Sequence, residues 1–154
     1  MEPVITGIHH FALTVSDMDR SVAFYRDRFG LEVISDREVD GGYVEEITAV
    51  PGAHVRIVHL LGYGKQVELL QYLSPVGARR AGELPDTGSA HLCFISDDLD
   101  DDVARLRAAS VTFRSFPVET TNGPNRGARG IYVEDPDGNA VEVVQLPAPP
   151  GGGA

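Results

Sequence analysis

Residues 10–23, HFALTVSDMDRSVA, decide the fold, because a second stretch of the chain repeats their pattern. Residues 91–104, HLCFISDDLDDDVA, align with them without a gap, so that His91 falls on His10 and Asp98 falls on Asp17. Both stretches begin with the pattern of a strand and then place an aspartate before a helical pattern. The chain is therefore expected to contain two copies of a strand followed by a helix.

A second repeated segment closes each half. Residues 67–71, VELLQ, match residues 141–145, VEVVQ, and place Glu68 on Glu142. Each half thus opens with a strand that bears a histidine and ends with a strand that bears a glutamate. A repeat of this length predicts two related structural modules.

The intervening patterns predict one α+β domain of two tandem βαβββ modules, at about 5–73 and 89–147. Ser16 or Asp17 can cap a helix that ends at Gly30, and the turn at 135–138, DPDG, predicts a hairpin. A linker at about 74–88 and a flexible tail at 148–154 complete the chain. The predicted strands lie at about 6–15, 31–39, 43–49, 54–61, 66–73, 89–96, 111–116, 129–134 and 139–146. The first half thus has one short strand more than a minimal module needs.

Charge and composition exclude several classes of partner. The net charge of −10 argues against binding to nucleic acid or to an anionic membrane surface. No apolar run approaches the roughly 20 residues of a membrane span, the N-terminus lacks a signal-peptide pattern, and the single cysteine, Cys93, excludes an internal disulfide. A cytoplasmic protein is expected. The nearest approach to basic clusters is Arg79 with Arg80 and Arg126 with Arg129, which suit a small anionic ligand.

Polar side chains occupy matching positions in otherwise apolar strands of the two modules. A glutamate in the middle of VELL or VEVV is costly to bury unless it is paired, hydrogen-bonded or bound to a metal. Two histidines and two glutamates, His10, Glu68, His91 and Glu142, would surround one divalent cation and leave open positions in an octahedral shell. Nitrogen and oxygen ligands of this kind suit Zn, Ni, Co, Mn or Fe better than Ca.

Four segments together resemble the vicinal oxygen chelate superfamily over about residues 5–147. These segments are the two His-x6-Asp stretches, VELLQYLSP at 67–75, and YVEDPDG at 132–138 ahead of Glu142. The superfamily includes glyoxalase I, methylmalonyl-CoA epimerase, extradiol dioxygenases, and fosfomycin-resistance and bleomycin-binding proteins. The resemblance implies a curved mixed sheet around a metal cleft that holds a small-molecule substrate.

The resemblance also implies which residues serve the metal. It places the ligands at His10, Glu68, His91 and Glu142, and turns His9 away. His54 and His59 match no ligand position. Related two-module proteins commonly form homodimers, so a homodimer is expected. The histidine–glutamate pairs from the two modules then belong either to one chain or to two.

Four protein ligands leave two coordination positions, which favours chemistry through a metal-stabilised enolate next to a carbonyl. Glu68 and Glu142 are the expected catalytic carboxylates, one removing a proton and the other returning it. The function is then that of an epimerase, another isomerase or a glyoxalase-type lyase, with Glu45 or Glu46 as a secondary candidate base. The alternatives are an Fe(II)-dependent ring-cleaving dioxygenase, which normally uses two histidines and one carboxylate, and a protein that sequesters an antibiotic or another small molecule.

Further residues are candidates for contact with substrate. Strand alternation places Tyr72 on the face of Glu68, and the final hairpin brings in three more. The same alternation makes Cys93 a lining residue beside His91. The candidate substrate contacts are Tyr72, Arg126, Arg129 and Tyr132.

Overall fold

The computed structural model describes residues 4–78 and 83–148. The chain divides into two compact units, Met1–Arg79 and Arg80–Ala154, and the division falls inside the predicted linker. The pair Arg79 and Arg80 lies outside the described residues, as does most of the predicted tail. None of the helices in the described ranges combines the length and apolar character needed to cross a membrane.

The first unit is a four-stranded mixed sheet with two helices. The sheet order is β1-β4-β3-β2, with β1 parallel to β4 and the other neighbours antiparallel. This arrangement contains the βαβββ order predicted for the first module. Its elements are β1 (Phe11–Thr14), α1 (Met18–Phe29), β2 (Glu32–Asp40), α2 (Tyr43–Thr48), β3 (His54–Gly62) and β4 (Lys65–Ser74).

The second unit has the same topology with one helix. Its sheet order is β5-β8-β7-β6, and β5 is parallel to β8. The two mixed sheets, each with a helix, confirm the predicted α+β class. The elements are β5 (Leu92–Ile95), α3 (Leu99–Ala108), β6 (Val118–Glu119), β7 (Arg129–Glu134) and β8 (Ala140–Gln145).

The two main helices begin at the aspartates that the repeat predicts. The side chain of Asp17 accepts a hydrogen bond from the backbone N–H of Arg20 at 3.0 Å, and Asp98 accepts one from Asp101 at 3.0 Å. These contacts satisfy N–H groups that have no partner within the helix. The first helix ends at Gly30, whose φ of 66° suits a residue without a Cβ.

The repeat extends to the contacts that attach each helix to its sheet. Gln71 of β4 accepts a hydrogen bond from the N–H of Met18 at 3.0 Å and donates one to the carbonyl of Ser16 at 3.1 Å. Gln145 of β8 likewise accepts a hydrogen bond at 3.4 Å from the N–H of the first residue of α3. It donates one at 2.9 Å to the carbonyl of the residue two positions earlier in the chain. The matching glutamines therefore fix the start of each helix against the last strand of its unit.

Alternation along β3 and β4 divides the first sheet into two faces. Gln71 contacts α1, so Leu69 and Val67, which lie two and four residues away, face that helix as well. Together with Leu60 they are buried against a helix whose Tyr25 is fully buried. Each fully buried apolar side chain of this size contributes about 1.5–3 kcal/mol to the free energy of unfolding. Glu68 is thereby left on the opposite face.

The prediction of a strand at 43–49 is wrong, because this segment forms α2. Its apolar residues are spaced three or four apart rather than alternating, and Thr48 donates a hydrogen bond to the carbonyl of Val44 at 2.6 Å. Val44 is buried in a cluster with Val55 and Ile57 of β3. The short helix therefore covers part of the sheet face that lies opposite α1.

The prediction of a strand at 111–116 is also wrong. Phe113 forms an isolated bridge with Val133, and paired strand begins again only at β6, after Pro117. The N–H groups of the consecutive residues Arg114 and Ser115 both donate to the carbonyl of Tyr132, at 2.8 and 3.3 Å. Two consecutive donors on one acceptor break the regular ladder, and the proline that follows has no N–H to restore it.

Candidate functional site

The first unit brings His10 and Glu68 together. His10 lies immediately before β1, and its Nε2 is 3.4 Å from Oε2 of Glu68. The Glu68 side chain is only 16% exposed, whereas that of His10 is 34% exposed. A carboxylate with this little access to water requires a partner, and His10 is one of the groups that supply it.

His59 is a further partner of Glu68 that the sequence analysis missed. Its Nε2 is 2.9 Å from Oε1 of Glu68, and the two residues lie directly opposite each other in the β3–β4 ladder. The turn between these strands consists of Tyr63 and Gly64, both with positive φ, as in a two-residue hairpin. Recognising that turn in the sequence would have set the register and placed His59 beside Glu68.

His9 and His10 are in contact through their Nδ1 atoms, which are 2.8 Å apart. Because Nε2 is the atom of His10 that approaches Glu68, the two ring nitrogens of His10 have different neighbours. His9 therefore lies beside the ring nitrogen of His10 that is not directed at Glu68.

The second unit brings His91 and Glu142 together in the same way. His91 lies immediately before β5, and its Nε2 is 3.2 Å from Oε2 of Glu142. Tyr132 stands directly opposite Glu142 in the β7–β8 ladder, the position that His59 holds in the first unit. Its hydroxyl oxygen is 3.4 Å from Nε2 of His91, and the two rings pack edge to face at 5.3 Å.

Cys93 and Tyr132 both have raised pKa values beside Glu142. Local desolvation of the thiol, followed by the charge of Glu142 and a hydrogen bond to it, raises the pKa of Cys93 to about 12, although the residue as a whole is exposed. Burial, followed by the same carboxylate charge, raises the pKa of Tyr132 above its ordinary value. Both groups therefore keep their protons at neutral pH and can donate hydrogen bonds to Glu142.

The predicted substrate contacts are placed in different surroundings. The hydroxyl of Tyr132 lies beside His91. Tyr72 instead packs against the cluster of Val44, Val55 and Ile57 beneath α2. Both guanidinium nitrogens at the end of Arg129 bind the carboxylate of Asp100, at 2.9 and 2.7 Å.

Two other groups of candidates are exposed. Arg126 lies on the exposed loop before β7, and Glu45 and Glu46 lie on the exposed side of α2. Among the four candidate substrate contacts, Tyr132 is therefore the residue that lies beside a predicted ligand.

The donor types of both pairs fit a divalent cation. Each pair offers an imidazole nitrogen and a carboxylate oxygen, the groups that bind zinc and related first-row metals. Within the ranges 4–78 and 83–148, no group of three or more His, Cys, Asp or Glu side chains is arranged to hold a metal ion. Each unit alone therefore presents two of the predicted ligands, which is fewer than a complete protein site needs.

Comparison with known proteins identifies the family. The sequence model of the Glyoxalase/Bleomycin resistance protein/Dioxygenase superfamily matches residues 7–143. The chain belongs to this superfamily.

Two curated relatives are similar in sequence to this chain over most of its length. A 2-epi-5-epi-valiolone epimerase of an Actinomyces species is 30% identical over 95% of this chain and 82% of its own. An ethylmalonyl-CoA/methylmalonyl-CoA epimerase of Cereibacter sphaeroides is 26% identical over 93% of this chain and 100% of its own. Relatives with different named substrates thus share the same superfamily sequence pattern.

Solved structures show the same fold. A glyoxalase family protein of Bacillus cereus has a TM-score of 0.83 at 18% identity, covering 96% of this chain and 98% of its own. A virulence protein of Salmonella typhimurium has a TM-score of 0.61 at 26% identity, covering 94% of this chain and 100% of its own. The predicted glyoxalase-like fold is therefore confirmed.

Proposed function

We propose that the protein is a divalent-metal-dependent enzyme that moves a proton on the carbon next to a carbonyl of a small molecule, as an epimerase, another isomerase or a glyoxalase-type lyase. The observation that carries this proposal is the pairing of one imidazole with one carboxylate in each unit. His10 with Glu68 and His91 with Glu142 stand at repeat-related positions.

The proposed metal ligands are these four residues. A pair of donors is too few for a stable site, so one ion would need a pair from each unit, either from one chain or from two copies of it. The nitrogen and oxygen donors suit Zn, Ni, Co, Mn or Fe(II). When bound, the ion would polarise a substrate carbonyl and so make the neighbouring C–H more acidic.

The proposed proton carriers are Glu142 and Glu68. Glu142 has the greater access to solvent of the two, with 26% of its side chain exposed against 16% for Glu68. It also has neighbours, Cys93 and Tyr132, that keep their own protons at neutral pH. We therefore assign removal of the substrate proton to Glu142. In an epimerisation, Glu68 would deliver to the same carbon a second proton, which it takes from solvent. The two epimerases among the relatives support a reaction of this class.

Metal binding is the first test of the proposal. Untagged protein is stripped with a chelator, dialysed, and reloaded with Zn²⁺, Ni²⁺, Co²⁺ or Mn²⁺, and bound metal is measured by mass spectrometry. We expect one equivalent per chain, and loss of binding in His10→Ala and in His91→Ala. His54→Ala is the matched control, because His54 lies on β3 and contacts Glu38 instead. A folded wild type that binds none of these ions would overturn the proposal.

Isotope exchange is the second test. Metal-loaded protein is incubated in D₂O with acyl-CoA thioesters that carry an acidic α-proton and with hemithioacetals, and deuterium incorporation is followed by NMR. We expect exchange that Glu142→Gln abolishes and His54→Ala preserves. Oxygen consumption without exchange would favour the ring-cleaving dioxygenase. Tight binding of an unchanged ligand would favour a sequestering protein.

A further inference from the structure

One row of side chains crosses all four strands of the first sheet. Ser35 of β2 lies opposite His59 of β3, His59 lies opposite Glu68 of β4, and Glu68 lies beside Ala12 of β1. Residues opposite each other in a ladder share a face of the sheet. The row therefore joins Ser35 to the proposed ligand Glu68 through a single imidazole.

The contacts along this row form a continuous hydrogen-bonded chain. The Ser35 hydroxyl oxygen is 2.7 Å from Nδ1 of His59, and Nε2 of His59 is 2.9 Å from Oε1 of Glu68. Because an ionised carboxylate only accepts hydrogen bonds, its contact with His59 requires the tautomer that carries the ring proton on Nε2. In the uncharged ring Nδ1 is then the acceptor, and the Ser35 hydroxyl donates to it.

This chain distinguishes the two oxygens of Glu68. Oε1 accepts from His59 at 2.9 Å, whereas Oε2 is the oxygen that approaches His10, at 3.4 Å. The His59 side chain is only 13% exposed, so few water molecules reach the hydrogen bond and compete with it. Oε1 of Glu68 is therefore held by His59, while Oε2 faces the proposed ligand His10.

The equivalent position in the second unit is occupied differently. Tyr132, not a histidine, stands opposite Glu142, and its hydroxyl approaches His91. The unit thus places a phenol where the first unit places an imidazole. The two glutamates, which the repeat makes equivalent, are oriented by different groups.

We infer that His59 is a positioning residue for Glu68, and that Ser35 holds His59 in the required ring orientation. The hydrogen bond to Oε1 keeps Glu68 as a stationary carboxylate that presents Oε2 beside His10. This inference rests on the proposed function for what Glu68 then binds, but the hydrogen-bonded chain itself does not. Hydrogen-bonding partners of metal ligands typically change metal affinity by roughly 10–100-fold when they are removed.

The test compares substitutions that keep or remove the donor. We expect His59→Leu to weaken Co²⁺ or Zn²⁺ binding by roughly 10–100-fold and to change the Co²⁺ absorption bands. His59→Gln, whose amide can still donate, should restore part of the affinity. His54→Leu is the matched control on the same strand and should bind like the wild type. Ser35→Ala should lower the affinity by a smaller factor that is not additive with His59→Leu, because both act through one chain.

A merely structural role for His59 gives a different result. His59→Leu would then lower the free energy of unfolding while its metal affinity and the Co²⁺ bands stayed those of the wild type. That outcome, in protein shown to be folded by circular dichroism, would overturn the inference even though the wild type binds metal. If His59→Leu does not fold, His59→Gln and Ser35→Ala carry the same comparison.

A metal-free measurement separates this inference from the proposed function. Nitrogen-15 NMR of the imidazole rings in the stripped protein should show His59 protonated at Nε2. Its signals should shift in Glu68→Gln and in Ser35→Ala, while those of His54 should not. An unprotonated Nε2, or no response to Glu68→Gln, would overturn the inference. If the wild type binds no metal but the shifts occur, the proposed function fails and the positioning of Glu68 by His59 stands.

Discussion

Tyr132 lies directly opposite Glu142 in the β7–β8 ladder, and its hydroxyl also approaches Nε2 of His91. One phenol thus touches both proposed ligands of the second unit. The raised pKa of Tyr132 keeps its proton in place over the neutral range. The tyrosine can therefore orient the pair without adding a charge to it.

Removal of this hydroxyl should weaken metal binding more than stability. Tyr132→Phe keeps the ring against His91, so we expect roughly tenfold lower Zn²⁺ affinity with little change in the urea midpoint. Competition with a chelating dye measures the affinity. Tyr43→Phe, on the exposed side of α2, is the control. Wild-type affinity in Tyr132→Phe would show that the hydroxyl does not orient these ligands.

The Cys93 thiol should react slowly in the folded protein. Because its pKa is raised to about 12, the thiolate fraction at pH 8 is far smaller than in an unfolded chain. Alkylation of metal-free protein by iodoacetamide should be on the order of 10³-fold slower than in urea, and should accelerate as the pH rises. Glu142→Gln removes the neighbouring negative charge, lowers the pKa and should speed the reaction. Equal rates in folded and unfolded protein would contradict the raised pKa.

The two glutamines that attach the helices to their sheets should contribute equally to stability. Gln71→Ala leaves the N–H of Met18 and the carbonyl of Ser16 without this partner, which should cost about 1–3 kcal/mol of unfolding free energy. Gln145→Ala should cost a similar amount. Urea denaturation measures both, with Gln66→Ala as the control on β4. A loss of unfolding free energy in only one of the two variants would show that the two glutamines do not contribute equally.

The ion pair between Arg56 and Asp36 should make stability depend on pH. The guanidinium binds both carboxylate oxygens, at 3.0 and 2.7 Å, and lowers the pKa of Asp36 in the folded protein. The stabilisation is therefore complete above the unfolded pKa of about 4, and is lost as the pH falls through the lower folded value.

Arg56→Ala should reveal this contribution together with that of Asp19, which binds the same guanidinium at 2.8 Å. We expect it to lower the free energy of unfolding at pH 7 by roughly 1 kcal/mol or less, because the Asp36 side chain is 43% exposed. The difference from wild type should shrink toward pH 2–3. Urea titrations at both pH values measure it, with Arg37→Ala on β2 as the control. A difference that grows as the pH falls would have the wrong sign.

Local patterns in the sequence predicted the features that depend on local physics. The helix starts at Asp17 and Asp98 follow from side-chain capping, which involves residues only three apart. The faces of Glu68 and Glu142 follow from strand alternation. The short helix α2 and the irregular stretch at 111–116 were predicted wrongly. In α2, apolar residues spaced three or four apart were taken for the pattern of a strand. At 111–116, regular pairing depends on the neighbouring strand β7, which the local sequence does not show.

The surroundings of the proposed ligands could be predicted only in part. The metal ligands themselves stay predictions, supported by the two contacts between histidine and glutamate. His59 was set aside because it matches no ligand position of the superfamily that the chain resembles. Its place beside Glu68 is set by the turn at Tyr63 and Gly64, which pairs β3 with β4.

The sequence by itself determined two related modules, the helix caps and the strand face on which each glutamate stands, because these depend on residues near one another in the chain. Only the tertiary structure decided which groups surround each glutamate. Hydrogen bonds across a sheet join residues by strand register, and the register gave Glu68 a histidine and Glu142 a tyrosine. Two positions that are equivalent in the sequence therefore have different chemical surroundings.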